Sequence, residues 1–142
     1  MNKLDFAQTE QQIKACFDVM VQLIPQIENA AVFLEKVRRK QKYGYHLAYC
    51  ETDGSVFAVA GLRFYEYFGI GKYLVIDDLV VCENHRGRGV GTAFFEAIAS
   101  YSRAQDCVQI QLDSALDLEG AHKFYQKMGM RQTHRHFAYD IL

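Results

Sequence analysis

Apolar positions recur along this chain with two periods, and the switches between them mark the elements. Ile13, Phe17, Met20 and Ile24 follow helical spacing, which predicts a helix over residues 12–24 that Pro25 stops. Ile27, Ala30, Ala31, Leu34 and Val37 share one face of a second predicted helix, which ends at Gly44. Residues 45–51 have strand composition, Thr52-Asp53-Gly54-Ser55 is a hairpin turn signal, and 56–65 make a longer strand. Residues 73–82 are apolar on both faces, as a central strand covered on both sides would be. From Val90 the period is helical again, through Ala93, Phe94, Ala97, Ile98 and Tyr101. Residues 108–113 alternate, Asp117 is positioned to cap a helix that Gly129 stops, and 131–141 return to strand character, as 3–8 do in brief.

This order predicts an α+β fold, with a mixed, mostly antiparallel sheet and helices on both faces in three layers. The strand–helix–strand unit at 73–113 implies a parallel pair with a right-handed crossover. With 142 residues, one domain over 1–142 is expected to hold any cofactor and substrate together.

Charge and cysteines narrow the function. Sixteen Lys and Arg stand against 17 Asp and Glu, a formal charge of −1, which excludes a nucleic-acid binder driven by an overall basic field. A basic run at Lys36, Arg38, Arg39, Lys40 and Lys42 reads as a solvated helix end that complements the helix dipole. Cys16, Cys50, Cys82 and Cys107 lack metal-ligand or redox spacing, and His134 with His136 lacks a third ligand, so no metal is expected. No signal peptide and no run of about 20 apolar residues is visible, so reduced thiols, a cytoplasmic location and no membrane partner are expected.

The chemistry concentrates at Arg86-Gly87-Arg88-Gly89-Val90-Gly91, between a buried strand and an amphipathic helix. Glycines let backbone approach a ligand, and a helix N-terminus offers unpaired N–H groups and partial positive charge. Together they suit a phosphate or pyrophosphate, with Arg86 and Arg88 able to add charge-assisted bonds. A Walker loop is absent, and a dinucleotide fingerprint fails at Thr92, where it needs glycine.

Arg-x-x-Gly-x-Gly after a strand resembles the acetyl-CoA loop of the GNAT superfamily of acyl-CoA N-acyltransferases. Downstream, Ala121-His122-Lys123-Phe124-Tyr125-Gln126-Lys127-Met128-Gly129-Met130 resembles that family's Ala-x-x-Phe-Tyr-x-x-x-Gly-Phe segment, with Met130 in place of the last aromatic. The element order matches from about residue 5 to 140. The resemblance implies an N-acetyltransferase that moves an acetyl group from acetyl-CoA to a primary amine of a small molecule by direct attack. A protein or peptide amine as acceptor, or a CoA-binding sensor without catalysis, are the alternatives. It further implies a central strand splayed from its parallel neighbour. Leu79, Val80 and Val81 would pair with the pantetheine arm, and the amides of Arg86, Gly87, Arg88, Gly89, Val90, Gly91 and Thr92 would hold the pyrophosphate. Val81's amide would help polarise the acetyl oxygen. Two departures are the missing proline after the strand and Val75, which stands where the histone-modifying branch has its glutamate.

By the same resemblance Tyr125 would give a proton to the departing thiolate; a tyrosine on an amphipathic helix is otherwise a core residue. Asp77 and Asp78 interrupt an apolar strand, and successive residues face opposite sides, so one should face the acceptor and the other the helices. Asp77, on the face of Leu79 and Val81, is the first candidate base and Asp78 the second. The acceptor pocket would draw on Phe33, Tyr65, Tyr67 and Asp113, aromatics and a carboxylate suited to a small cationic amine. Family members often form homodimers.

Overall fold

The structure is a computed structural model, and it describes residues 3–142. Its elements in order are β1 (Asp5–Phe6), α1 (Glu10–Ala15), α2 (Phe17–Leu23), α3 (Ala30–Gln41), β2 (His46–Thr52), β3 (Ser55–Tyr67), β4 (Gly71–Val81), a 3₁₀ turn at Glu83–His85, α4 (Val90–Ala104), β5 (Gln109–Leu112) and α5 (Glu119–Lys127). The five strands lie in sequence order; β1 to β4 pair antiparallel and β4–β5 is parallel. The mixed sheet expected from the sequence is therefore present. Two compact units are distinguished, residues 1–111 and 112–142.

In the first unit, one sheet face carries α1 to α3. Val59 of β3 and Val80 of β4 bury there with Ile13, Met20, Phe33, Val37 and Tyr45. Each large apolar side chain so buried contributes about 1.5–3 kcal/mol. Phe64, of opposite parity on β3, meets Tyr101 of α4, so α4 covers the other face. Phe94 and Ile98 of α4 are almost fully buried.

The first predicted helix is two. Thr9 caps α1 in a reciprocal capping box with Gln12. The Cys16 N–H then bonds to the Ile13 carbonyl, three residues back, and that tightened turn breaks the helical ladder before α2. At the hairpin, Asp53 and Gly54 both take positive φ (52° and 77°), the conformation a two-residue turn between twisted strands needs.

The aspartate strand departs from simple alternation. Leu62 pairs with Ile76 but Gly61 pairs with Asp78, so Asp77 is an extra residue in a β-bulge. The bulge resets the face on which the following residues lie. Asp78 falls with Val80 on the α1–α3 face, whereas Leu79 and Val81 face α4. The expected grouping of Asp77 with Leu79 and Val81 does not hold, because that parity assumed an unbroken strand. Nor do the two aspartates face apart: Asp77 meets Arg63 and Asp78 meets Tyr45, and Arg63 itself lies over the Tyr45 ring.

In the second unit, Leu118 rather than Asp117 is the N-cap of α5, with no side-chain cap bond. Gly129 ends α5 at φ 87°. Residues 131–142 form no strand, contrary to their alternation. A strand exists only where a neighbour takes its N–H and C=O groups, which alternation by itself cannot supply.

Candidate functional site

The end of β4 and the loop after it are built largely from backbone. The Cys82 N–H donates to the Phe57 carbonyl of β3. By alternation, the Val81 N–H and C=O point away from β3, toward the β5 side. The Val81 carbonyl accepts from Arg86 Nε at 2.9 Å, so Arg86 folds back on the strand end. On that side, β5 starts where the Val108 N–H meets the Lys72 carbonyl, runs parallel for four residues and stops short of Leu79–Val81. From α2, Gln22 braces the turn, accepting from the Glu83 N–H and donating to Cys82 Sγ. This fixes Cys82 as a half-buried packing thiol.

Gly87 (φ 79°) and Gly89 (φ 75°) hold left-handed conformations that a side chain would strain. Gly89 is the N-cap of α4. The first intrahelical bond closes from the Ala93 N–H to the Gly89 carbonyl. The amides of Val90, Gly91 and Thr92 are thus the helix's leading donors. No atom lies within 4 Å of where a Cβ at Gly87 or Gly89 would sit, so the loop presents bare backbone outward. Arg88 is exposed beside it. These residues fit a pyrophosphate-bearing cofactor: open backbone donors, a helix positive end and a cation.

The second part of the site is a cavity of about 180 Å³ on the α1–α3 face. Met20, Ile24, Ile27 and Val37 give it apolar walls, and Phe33, Tyr45 and Asp78 join them. Lys36 and Lys40, one turn apart on α3, also line it. The Tyr45 hydroxyl donates to Asp78 Oδ2 at 2.7 Å. The Lys40 ammonium lies 4.0 Å from the Tyr45 ring centroid. Burial, and then the Asp78 carboxylate, push the Tyr45 hydroxyl far above its ordinary value, so it stays a donor. Asp77 is ion-paired with Arg63 Nε at 2.6 Å, and Arg63 is further fixed on the Tyr43 carbonyl.

Gly61 explains how the cluster fits. A Cβ there would fall on the Tyr45 hydroxyl and on the Asp78 carboxylate. An isolated glycine inside an apolar strand is the sequence signal for a bulge or for such a close approach. The sequence does not single out Tyr45, Arg63, Lys36 or Lys40 as site residues; the isolated glycine marks Gly61 alone.

Of the expected acceptor residues, Phe33 reaches this cavity with Asp78. Tyr65 and Tyr67 do not: they pack on Tyr73, at ring distances of 5.8 and 4.9 Å. Tyr73 precedes Val81 by eight residues on β4, roughly 26 Å of strand. In the second unit, Asp113 Oδ2 lies 3.2 Å from His136 Nδ1, both largely exposed. Tyr125 lies on α5, half-buried, and burial raises its pKa, which keeps the phenol protonated through neutral pH. A larger cavity, about 500 Å³, opens near Phe6, His46 and Tyr101, but its cation, Arg38, is spent on the Gln8 carbonyl and Gln41. Among the described residues no cluster of three or more His, Cys, Asp or Glu could hold a metal, and no helix is long and apolar enough to cross a membrane.

Comparison with known proteins adds to this geometry. The family described as Acetyltransferase (GNAT) family matches residues 9–130. A glucosamine 6-phosphate N-acetyltransferase of Trypanosoma brucei brucei is 32% identical over 93 residues; the match spans 64% of this chain and 61% of that relative, less than two thirds of its length. A crystal structure of a Trypanosoma brucei acetyltransferase superposes with a TM-score of 0.76 at 23% identity, covering 99% of this chain and all of that one. An aminoglycoside N-acetyltransferase solved with CoA gives 0.78 at 16% identity, covering 99% and 95%. At these identities the two solved structures speak for the fold.

Proposed function

The chain belongs to the GNAT acetyltransferase family, and from that premise we propose that it transfers the acetyl group of acetyl-CoA to the primary amine of a small molecule that also carries an anionic group. The observation that carries this reading is the cavity that Asp78, Tyr45, Lys36 and Lys40 all line. A carboxylate beside an aromatic ring favours an amine, and two lysines favour a phosphate or carboxylate on the same molecule. The name of the 32%-identical relative, which couples an amine to a sugar phosphate, agrees with that pairing.

In this reading acetyl-CoA supplies an activated acyl group, and its arm lies along Leu79, Val80 and Val81, where β5 has ended. The outward-facing Val81 N–H is available to the acetyl oxygen. The loop amides from Arg86 to Thr92 take the pyrophosphate. The neutral amine attacks the carbonyl carbon, a C–N bond forms, and the C–S bond breaks. Asp78 receives the proton that the amine loses. Asp77 is the weaker candidate because its carboxylate is committed to Arg63. Tyr125 gives its proton to the thiolate.

The test is a thiol-release assay with acetyl-CoA across matched amines, such as an amino sugar with and without its phosphate, and amino acids against their amides. The expected result is at least tenfold higher kcat/KM for the anionic member of each pair, with the preference lost in Lys36→Met/Lys40→Met. Equal rates within pairs would remove the anionic group from the reading. No thiol release above hydrolysis with any amine would remove the small-molecule acceptor.

A further inference from the structure

The wall of the acceptor cavity and the cofactor loop are joined by the side chain of Gln22. Met20 of α2 and Ile24, its C-cap, lie one turn apart and line the cavity. Gln22, two residues from each, leaves the helix on a different side. It crosses to the end of β4, where its Oε1 accepts from the Glu83 N–H at 2.9 Å. Its Nε2 donates to the Asp18 carbonyl at 3.1 Å, one turn back on α2, and to Cys82 Sγ at 3.5 Å. The amide is thus held on its own helix and on the turn that leads into the Arg86–Thr92 loop.

The bond falls where the turn needs an acceptor. Glu83 opens the 3₁₀ turn Glu83–His85, and the N-cap, Cys82, makes no side-chain cap bond. The leading N–H of such a turn has no partner within it. Gln22 supplies that partner from 61 residues away. The turn then passes directly into the loop. The His85 N–H bonds to the Cys82 carbonyl, Arg86 Nε bonds to the Val81 carbonyl, and the His85 ring stacks on Phe57 at 5.3 Å. At the other end of the link, α2 has seven residues, starts at the break at Cys16 and ends before Pro25. A helix that short is marginal by itself, so its order depends on what it is tied to.

Given the reading that acetyl-CoA binds along Leu79–Val81 and the loop, we propose that Gln22 is a positioning residue that couples the two halves of the site. Bound acetyl-CoA fixes the Glu83 turn, and through Gln22 it orders α2 and the part of the cavity wall that Met20 and Ile24 form. Coupling of this kind is reciprocal, so an acceptor seated in the cavity tightens acetyl-CoA in equal measure. Acetyl-CoA then prepares the acceptor cavity before the acceptor arrives.

Hydrogen exchange with and without saturating acetyl-CoA tests this. In the wild type, acetyl-CoA should slow exchange in residues 82–92 and, by about three- to tenfold, in residues 17–24 as well. Gln22→Met keeps the length of the side chain and loses its hydrogen bonds. Acetyl-CoA should still protect 82–92 in that variant, and its effect on 17–24 should vanish. Glu83→Pro cuts the same bond from the other partner, because proline has no N–H. Proline suits the first position of the turn, and Cys82, at φ −53° and ψ 135°, already has the conformation that precedes a proline. The turn should therefore hold. Acetyl-CoA affinity by calorimetry should stay within about twofold of wild type, and the response of 17–24 should again vanish. Unchanged exchange in β3 shows that each variant is folded. Acetyl-CoA that protects 82–92 of the wild type and leaves 17–24 unchanged overturns the coupling. A response of 17–24 that survives either variant overturns the role of Gln22. If calorimetry finds no acetyl-CoA binding to the wild type, the cofactor reading and the coupling fall together.

Discussion

The loop at Arg86–Thr92 and the bulge at Asp77–Asp78 follow one another along the same stretch of chain, yet one offers backbone and the other side chains. The loop is exposed, has two glycines at positive φ, and leaves the space around them open. The bulge is built from side chains: Gly61 and the Tyr45 hydroxyl close on the half-buried Asp78 carboxylate, Arg63 pairs with the more exposed Asp77, and Lys40 lies over the Tyr45 ring. A backbone site recognises what nearly every acyl-CoA shares, the phosphates and the arm. A side-chain site can be cut to one acceptor. On the proposed reading, the family's common chemistry and this chain's own specificity sit in physically different kinds of structure.

The bulge should give the largest effects on turnover. If Asp78 takes the amine proton, Asp78→Asn should lower kcat by about 10²–10³-fold, within the range of general base catalysis. Asp77→Asn should cost under about tenfold, because its charge serves Arg63. Tyr125→Phe should lower kcat on the scale of Asp78→Asn and leave acetyl-CoA affinity nearly unchanged. Its proton is not the limit through neutral pH, since burial raises the phenol's pKa, and the rate should fall on its account only as pH rises beyond the ordinary tyrosine value near 10. Steady-state rates with titrated acetyl-CoA separate these outcomes. A larger loss at Asp77 than at Asp78 would reverse the assignment.

The two regions also differ in how far they can be read from sequence. The loop is legible because its geometry is local: glycine at 87 and 89 answers a backbone conformation set within a few residues. The central strand β4 is legible because most of it is apolar on both faces. The bulge is not local. Whether Asp77 or Asp78 continues the alternation depends on register with β3, and that register shifts at Gly61, sixteen residues earlier in the chain. Tyr45 reads as the start of a strand, and nothing near it in sequence announces Asp78. Tyr65 and Tyr67 pack on Tyr73 and do not line the cavity with Asp78 for a related reason: aromatic composition gives no position along the strand. The strand expected at 131–141 rests on period alone, and pairing is a property of the neighbour.

Gly61→Ala tests the enclosed region by crowding it. The new methyl must displace the Tyr45 ring or the Asp78 carboxylate, and overpacking of this kind costs about 1–3 kcal/mol. The denaturant midpoint should fall with m unchanged. Turnover should fall with it, because the displaced groups are those proposed to meet the acceptor, while acetyl-CoA affinity stays level. An unchanged midpoint would mean that Tyr45 moves aside at little cost, and the cluster would then be softer than its hydrogen bond implies.

Gly89→Val tests the open region by straining it. No neighbour crowds a Cβ there, so the penalty is conformational: a β-branched residue at φ 75° is a steric outlier, costing about 1–2 kcal/mol. To escape it the N-cap of α4 must turn, which carries the Val90–Thr92 amides out of line. Acetyl-CoA affinity should weaken about tenfold by calorimetry, the 1.4 kcal/mol equivalent. Gly89→Asn separates two causes. Asparagine tolerates the left-handed conformation, so affinity should recover most of the loss if backbone geometry decides it. Equal weakening in both variants would mean that any side chain at 89 obstructs the ligand, and the loop would then resemble the bulge in depending on shape.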